Sequence, residues 1–557
     1  MERRLLIAFA LSFLIIVLSR PLWEQRKSPT GSGDLPTTPV AGATPAPVQP
    51  SQTNTIATAS QGSEPRKAES EKLTTVETDL FRISFSNREA VVKSWILHKY
   101  SDSDGKPLDL IQAKQADLFG YPLALKIDKE DEISKRLSNA LFVCDANGNV
   151  NLSSSGPAQQ SLAFEFADQQ LRVQKKMTFS RGSYAVGVNC LVWLNNRPAD
   201  YRLLWRSGFG DPSVDERMAV RRAIYRDEKK ITRVKSTDVQ ADQDLSGSFR
   251  FVGMEDQYFA AVFLPALNEP MQRIHLGRDE HTKEDGKKEV LLKAGVSGAT
   301  PDHASFRIFV GPKDTAVLQK AGDNLIDLID YGWFAVVCKP LFFALQAIYS
   351  FCKNYGLAII LLTILINLAL FPLRYKSIVS AQRMQKLQPQ MKAIQERYKK
   401  LKPTDPKRQQ MNAELMALYK QHGVNPLGGC LPLLLQMPFF IAFYNLLSVS
   451  IELRHAPFAL WIKDLSAADH TFILPILMTV SMIAMQKMTP TPSADPVQAK
   501  MMLAMPLVFG FMLAFTSSGL VLYWLTSNLV GITQQYLMNR YGPTAAATSP
   551  AKQSKRK

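Results

Sequence analysis

The chain has 557 residues, enough for two or three domains, and 46% of them are apolar. Lys and Arg number 66 against 49 Asp and Glu, a formal charge of +17 that suits anionic partners such as lipid head groups, ribosomal RNA or acidic protein surfaces. The five cysteines (Cys144, Cys190, Cys338, Cys352 and Cys430) form no C-x-x-C pair and no Cys/His cluster, which excludes the common zinc and redox motifs.

In chain order, Met1–Arg4 carries two arginines ahead of an apolar run from Leu5 to Leu18. This is the pattern of a signal peptide, yet no small-x-small cleavage site follows in Ser19-Arg20-Pro21-Leu22-Trp23. Arg20 can snorkel and Trp23 suits the interface, so residues 1–23 read as an uncleaved signal-anchor helix. Residues 24–72 are dominated by Pro, Thr, Ser, Ala and Gln and read as a disordered linker, because they cannot bury enough apolar surface to offset ordering.

From residue 73 to 330 the pattern becomes alternating. Phe81, Ile83 and Phe85 alternate with Arg82, Ser84 and Ser86; Leu171, Val173, Met177 and Phe179 do the same, interrupted by Lys175. One dry and one wet face per strand predicts an antiparallel all-β sandwich. Cys144 and Cys190 fall within it and either pair or stand as two separate thiols.

Residues 331–354 are apolar, but Pro340 argues against a regular span, and an interfacial amphipathic helix is expected there. Five spans follow at about 355–373, 431–451, 472–488, 501–518 and 519–537, each 17–21 residues. The segment 374–426 between the first two holds twelve Lys/Arg against Glu396, Asp405 and Glu414, a net of +9. The segment 452–471 has a net of −1, and the tail after Leu537 has five basic residues and no acid. The positive-inside rule then puts both termini and the +9 segment in the cytoplasm, with the sandwich outside. The outcome is an α-helical polytopic membrane protein of six spans, with a five-span core at 355–540 and a basic tail at 541–557.

The +9 segment is itself patterned. Met384, Leu387, Met391, Ile394, Tyr398 and Leu401 follow 3-4 spacing, Lys402-Pro-Thr-Asp-Pro-Lys407 breaks it, and Met411, Leu415 and Leu418 resume it. This predicts an antiparallel helical hairpin over 376–422, with Pro389 at a helix start or kink. Its basic residues Lys399, Lys400, Lys402, Lys407 and Arg408 fit two readings: a solvated arm held near anionic lipid, or a docking arm for ribosome, targeting receptor or nascent chain. Within the spans, polar residues are few and must face protein or water. Thr363 and Asn367 lie four apart on one face, Gln436 is in the next span, and Asn528 follows Tyr523 and Trp524 in the last. No phosphate loop, H-E-x-x-H or G-x-S-x-G is present, and the seven histidines are dispersed. Neither an enzyme nor a cofactor is expected.

Asn425-Pro-Leu-Gly-Gly-Cys-Leu-Pro-Leu-Leu-Leu-Gln-Met-Pro438, Ala456-Pro-Phe-Ala-Leu-Trp-Ile-Lys-Asp-Leu465, Ile473-Leu-Pro-Ile-Leu-Met478 and Ser518-Gly-Leu-Val-Leu-Tyr523 resemble the YidC insertase family. The likeness runs from about 331 to 540, and the anchor, linker and β domain resemble its Gram-negative form. That resemblance implies a galactose-mutarotase-like sandwich in the periplasm. It also implies a hydrophilic groove within the inner membrane through which nascent membrane proteins enter the bilayer and fold, alone or beside the SecYEG translocon. Thr363, Asn367, Arg374, Gln436, Tyr523, Trp524 and Asn528 are the groove candidates. One departure stands out. The family's groove arginine, four residues after a threonine, is Asn367 here; Arg374 shares that face about 10 Å nearer the cytoplasm. Either the charge has moved outward or polarity alone suffices. The rival readings are a membrane transporter and a membrane-tethered periplasmic carbohydrate-active domain.

Overall fold

The computed structural model describes residues 65–146, 148–152, 156–206, 208–214, 220–266, 270–282, 286, 288–298, 304–398, 407–423, 431–488 and 496–541. The expected signal anchor, most of the linker, the hairpin tip with Lys399, Lys400 and Lys402, the basic tail from 542, and Cys430 lie outside these residues, as do the side chains of Lys407 and Arg408.

Among the described residues, the strands between 73 and 312 form two sheets packed face to face. The smaller is built on the meander Leu73–Glu77, Phe81–Ser86 and Val91–Ser101; the larger includes Leu171–Ser180, Ala185–Leu194 and Phe259–Pro265. Rings from the two inner faces meet across the gap. The Phe85 centroid lies 6.0 Å from Phe164 and 6.1 Å from Phe179, and Trp95 lies 6.3 Å from Trp205. Among the described strands the pairing is antiparallel apart from one parallel strand pair, in which Val76 and Glu77 face Val150 and Asn151. The sandwich also begins earlier than the composition suggests. Arg66 and Ala167 exchange both backbone hydrogen bonds, and the Ala68 N–H donates to Leu141 O, so residues 66–72 belong to it rather than to the linker.

At the residue level one expectation changes, and one open alternative is decided. Lys175 does not interrupt its strand: it points inward with Val173 and Met177, and its Nζ donates to the carbonyls of Glu89, Ala90 and Leu123 at 2.7, 3.1 and 2.8 Å. Three acceptors satisfy the ammonium that burial would otherwise leave bare. Cys144 and Cys190 are both free thiols.

The C-terminal half is helical. In chain order the helices are α1 (Ala335–Cys352), α2 (Tyr355–Ala369), α3 (Phe371–Arg397), α4 (Lys407–Gln421), α5 (Leu431–Val449), α6 (Ile473–Met488), α7 (Pro496–Leu513) and α8 (Ser518–Tyr541). α1 runs unbroken through Pro340, against expectation. It buries Cys338, Leu341, Phe342 and Leu345 at the 3-4-7 spacing of one face and leaves Val336, Phe343 and Phe351 exposed on the other. Among the described residues, Gly332–Cys352 is the one helix long and apolar enough to cross a bilayer alone. The pair α2 and α3, bent by 60°, passes the same test jointly, whereas Gln436–Val449, Ile473–Met488 and Ala504–Leu513 are apolar but shorter. Among the described residues, the five spans expected there are therefore not reached by length and composition. α2 stops at a bend, and α6, at 16 residues, rises only about 24 Å.

The described parts of the two arms expected to form the hairpin touch, partly through a residue outside the expected seam, Tyr419. Met384, Leu387 and Met391 on α3 bury against Tyr419 on α4, flanked by Leu415 and Leu418. The Tyr398 hydroxyl donates to Glu414 at 2.6 Å. Pro389 sits inside α3 rather than at its start.

The sandwich and the helices meet at the turn after α5. Ile451 is buried in the sandwich core, and Arg454 donates from Nε to Asp211 Oδ2 at 2.7 Å and from a terminal nitrogen to Ser101 O at 2.6 Å. Gln257 donates to Ser448 O at 2.6 Å.

Candidate functional site

α2 starts cleanly because Asn354 caps it, its side chain accepting from the Leu357 N–H at 3.0 Å. The helix is two-faced in polarity. Leu357, Leu361, Leu365 and Leu368 are exposed on one side, while Thr363 and Asn367 are buried on the other, against α8. The Thr363 hydroxyl donates back to Ile359 O at 2.6 Å, and Asn367 Nδ2 donates to Thr363 O at 2.8 Å.

At Leu370 the chain bends by 60° into α3, whose first turn holds Pro372, a residue suited to a helix start. Helical side chains lean toward the N-terminus of their helix, so Arg374 reaches back across the bend. Its guanidinium donates to Asn367 Oδ1 at 3.1 Å and to Gln534 Oε1 at 3.2 Å. A straight helix would have kept the two residues about 10 Å apart along its axis. The bend brings them into contact.

α5 and α8 complete the arrangement. Gln436 Nε2 donates to the Ser527 hydroxyl at 2.9 Å, Asn367 Nδ2 lies 3.4 Å from the same oxygen, and Gln534 Nε2 donates to Asn367 O at 3.3 Å. The elements carrying the scattered polar residues are thus neighbours. Between them lies a cleft lined by Asn367, Arg374, Gln436, Tyr523 and Ser527, with Ile366, Leu370 and Phe439 as apolar walls. Its free volume of about 20 Å³ is room for one water. Tyr523 is held by stacking on Phe443, with centroids 4.2 Å apart and planes 17° apart.

Four groove candidates, Asn367, Arg374, Gln436 and Tyr523, therefore line one cleft, and three do not. Thr363 is buried behind it. Asn528 turns to α6, donating to Ser481 Oγ at 2.9 Å. Trp524 packs edge-on against Phe440, with centroids 4.7 Å apart. Polar spacing identifies a face only on a straight helix of known rotation, and consecutive residues of α8 point about 100° apart. Ser527 and Gln534, polar residues of the same apolar stretch, were not among the groove candidates; the signal for them is their own polarity there.

The β-sandwich offers no rival acid–base pair at His275. That side chain is 1% exposed, and its ring nitrogens lie 2.9 Å from Asp244 Oδ1 and 3.6 Å from Asp242 Oδ2. It presents nothing to a substrate. Among the described residues, no group of three or more His, Cys, Asp or Glu could hold a metal ion.

Residues 73–344 match the family model described as the YidC periplasmic domain, and residues 347–545 match the one described as 60Kd inner membrane protein. Membrane protein insertase YidC of Geotalea uraniireducens is 34% identical over 562 residues, covering 98% of this chain and 100% of that one. Its counterpart in Syntrophus aciditrophicus is 35% identical over 483 residues, covering 85% and 86%. Among solved structures, an active YidC insertase with its first transmembrane domain resolved is 21% identical, covering 85% of this chain and 94% of that one with a TM-score of 0.36. A putative aldose 1-epimerase from Escherichia coli K12 is 8% identical, covering 44% and 100% with a TM-score of 0.26. With relatives of this identity matched over nearly their whole length, the chain belongs to the YidC family of membrane protein insertases.

Proposed function

We propose that the chain performs its family's insertion reaction through the cleft between α2, α3, α5 and α8. The observation that carries this reading is the convergence of Asn367, Arg374, Gln436 and Ser527 on one small cleft beside the apolar α2 and α5. Placing a charged residue at the hydrocarbon centre costs roughly 2.5–3.5 kcal/mol on insertion scales. Polar groups reaching partway across would solvate a substrate's polar tail for part of its route, and removing about 1.4 kcal/mol from a barrier is tenfold in rate. The substrate's apolar segment then passes along Ile366, Leu370 and Phe439 into lipid, whose affinity for it supplies the drive. In this chain Arg374, seated on Asn367, supplies the positive charge. The site needs neither nucleotide nor cofactor.

The wider reading places six spans in the bacterial inner membrane, with both termini and the hairpin in the cytoplasm. α1 lies along the outer interface and the sandwich sits in the periplasm. The partners are nascent membrane proteins, the SecYEG translocon, and, at the basic hairpin, ribosome, targeting receptor or anionic lipid. It rests on the +9 segment, the basic tail and the family's character. The test is reconstitution of the purified chain into liposomes, scoring protease protection of a small single-span substrate. Protection well above that in empty liposomes is expected; equal protection would remove the function.

A further inference from the structure

Three carbonyls converge at one corner of the β-sandwich. The oxygens of Glu89, Ala90 and Leu123 lie 2.7, 3.1 and 2.8 Å from Lys175 Nζ. All three residues adopt left-handed backbone, with φ of 60°, 49° and 67°. That conformation is uncommon for any residue with a side chain and rarer still for a bulky one such as Leu123. Bonds other than those to Lys175 hold it. The Glu89 N–H donates to Ala140 O at 2.8 Å, the Leu123 N–H to Leu204 O at 2.8 Å, and the Val92 N–H to Pro122 O at 3.1 Å. The backbone itself aims the carbonyls.

The geometry suits one class of ligand. An ammonium has three N–H donors and no acceptor, which matches three neutral oxygens at hydrogen-bond distance. The same spacing is wider than the about 2.3–2.6 Å of calcium or the about 2.0–2.1 Å of magnesium, ions that also favour carboxylates. The Phe142 ring centroid lies 5.8 Å from the nitrogen, within cation–π reach. Burial lowers the Lys175 ammonium to about 8, which leaves it charged at neutral pH. The nitrogen also bridges the two sheets. Glu89 and Ala90 lie in the turn between Phe81–Ser86 and Val91–Ser101 of the smaller one. Lys175 is carried by Leu171–Ser180 of the larger one, and Leu123 leads into its strand Ala124–Ile127.

We propose that Glu89, Ala90 and Leu123 form a primary-ammonium site built into the sandwich, and that Lys175 is the ion the chain itself delivers to it. The site belongs to the backbone rather than to the lysine. Emptied of its tethered ion, it takes up a free alkylammonium, and the two sheets are bridged again.

The test uses the full chain in detergent at neutral pH, with urea unfolding of the sandwich followed by the fluorescence of Trp95 and Trp205. Lys175→Ala keeps the β-carbon of lysine, so n-propylammonium supplies the atoms that the substitution removes. For one site present only in the folded chain, the unfolding constant of Lys175→Ala is expected to fall about tenfold for each tenfold rise in propylammonium above its dissociation constant. Tetramethylammonium at the same ionic strength, a cation without N–H donors, is expected to leave it unchanged. Lys175→Met, whose side chain fills the space, is expected to respond to neither salt, as is the chain with its own lysine. If Lys175→Ala does not fold alone, propylammonium in the refolding buffer is expected to recover folded chain where tetramethylammonium does not. Equal effects of the two salts, a response of Lys175→Met as large as that of Lys175→Ala, or no response of Lys175→Ala to propylammonium would overturn the site.

Discussion

Arg374 shows how far a single side chain can move a reading. Sequence places its Cα a full two turns from Asn367, and only the bend at Leu370 and the backward lean of a helical side chain bring its guanidinium to Asn367 Oδ1. The residue was visible as a candidate; its contact was not, because a helix bend is a tertiary event. Lys175 teaches the converse. Alternation marked its position as inward-facing and chemistry argued it away, yet three backbone carbonyls at 2.7–3.1 Å are waiting for it. Those carbonyls belong to residues far away in the chain, so no local pattern announces them. Lys175→Met should leave all three without a donor and destabilise the sandwich by about 3 kcal/mol, at roughly 1 kcal/mol for each stranded group. Unfolding of the full chain in detergent, followed by the fluorescence of buried Trp95 and Trp205, measures this. A loss under about 1 kcal/mol would mean that the carbonyls find other partners.

At the scale of elements, periodicity was most informative where two helices make their own interface. The 3-4 seam marked Met384, Leu387 and Met391, and these do bury against α4, though at Tyr419 rather than at a seam position. Prolines were the weakest guide: Pro340, Pro389, Pro438 and Pro506 all lie inside helices. A proline removes one hydrogen bond, a local cost that the packing of a long apolar face can offset. If the hairpin recruits through charge, replacing Lys399, Lys400, Lys402, Lys407 and Arg408 with glutamine should weaken binding to anionic vesicles tenfold or more. Each basic residue near such a surface is worth about 1 kcal/mol. The difference should shrink at high salt, where screening already blunts the attraction. Co-sedimentation across a salt series checks it, and equal binding at every ionic strength would take the arm's charge out of the mechanism.

For the whole molecule, composition separated a β-rich half from an apolar half, and the two sheets and the helical bundle follow that division. What the sequence concealed is how the halves are fastened, because Arg454 and Asp211 are 243 residues apart. Next to that pair, burial and then the like charge of Asp314 push the Glu452 carboxyl up to about 7, well above its ordinary 4.5. A group whose folded value is raised contributes stability that is complete below the unfolded value and is lost as pH rises through the folded one. The junction should therefore loosen between about pH 4.5 and 7. Tryptic cleavage after Arg454 should be faster at pH 8 than at pH 6 relative to a Glu452→Gln chain at the same pH; a constant ratio would contradict it.

The central claim is that the cleft around Asn367 and Arg374 carries insertion. It is tested most directly by insertion per folded molecule in liposomes for Asn367→Leu, Arg374→Gln, Asn367→Arg and the double variant Asn367→Arg with Arg374→Gln, with folding verified separately. Asn367→Leu removes a polar wall and the seat of the guanidinium, and Arg374→Gln removes the charge; each should lower insertion about tenfold, Arg374→Gln the more. Asn367→Arg alone should be tolerated, since an arginine facing a hydrated cleft avoids the cost it would meet in lipid. In the double variant it should restore much of the loss, by returning a positive charge to the same cleft from α2. Full activity in both Asn367→Leu and Arg374→Gln would contradict the account.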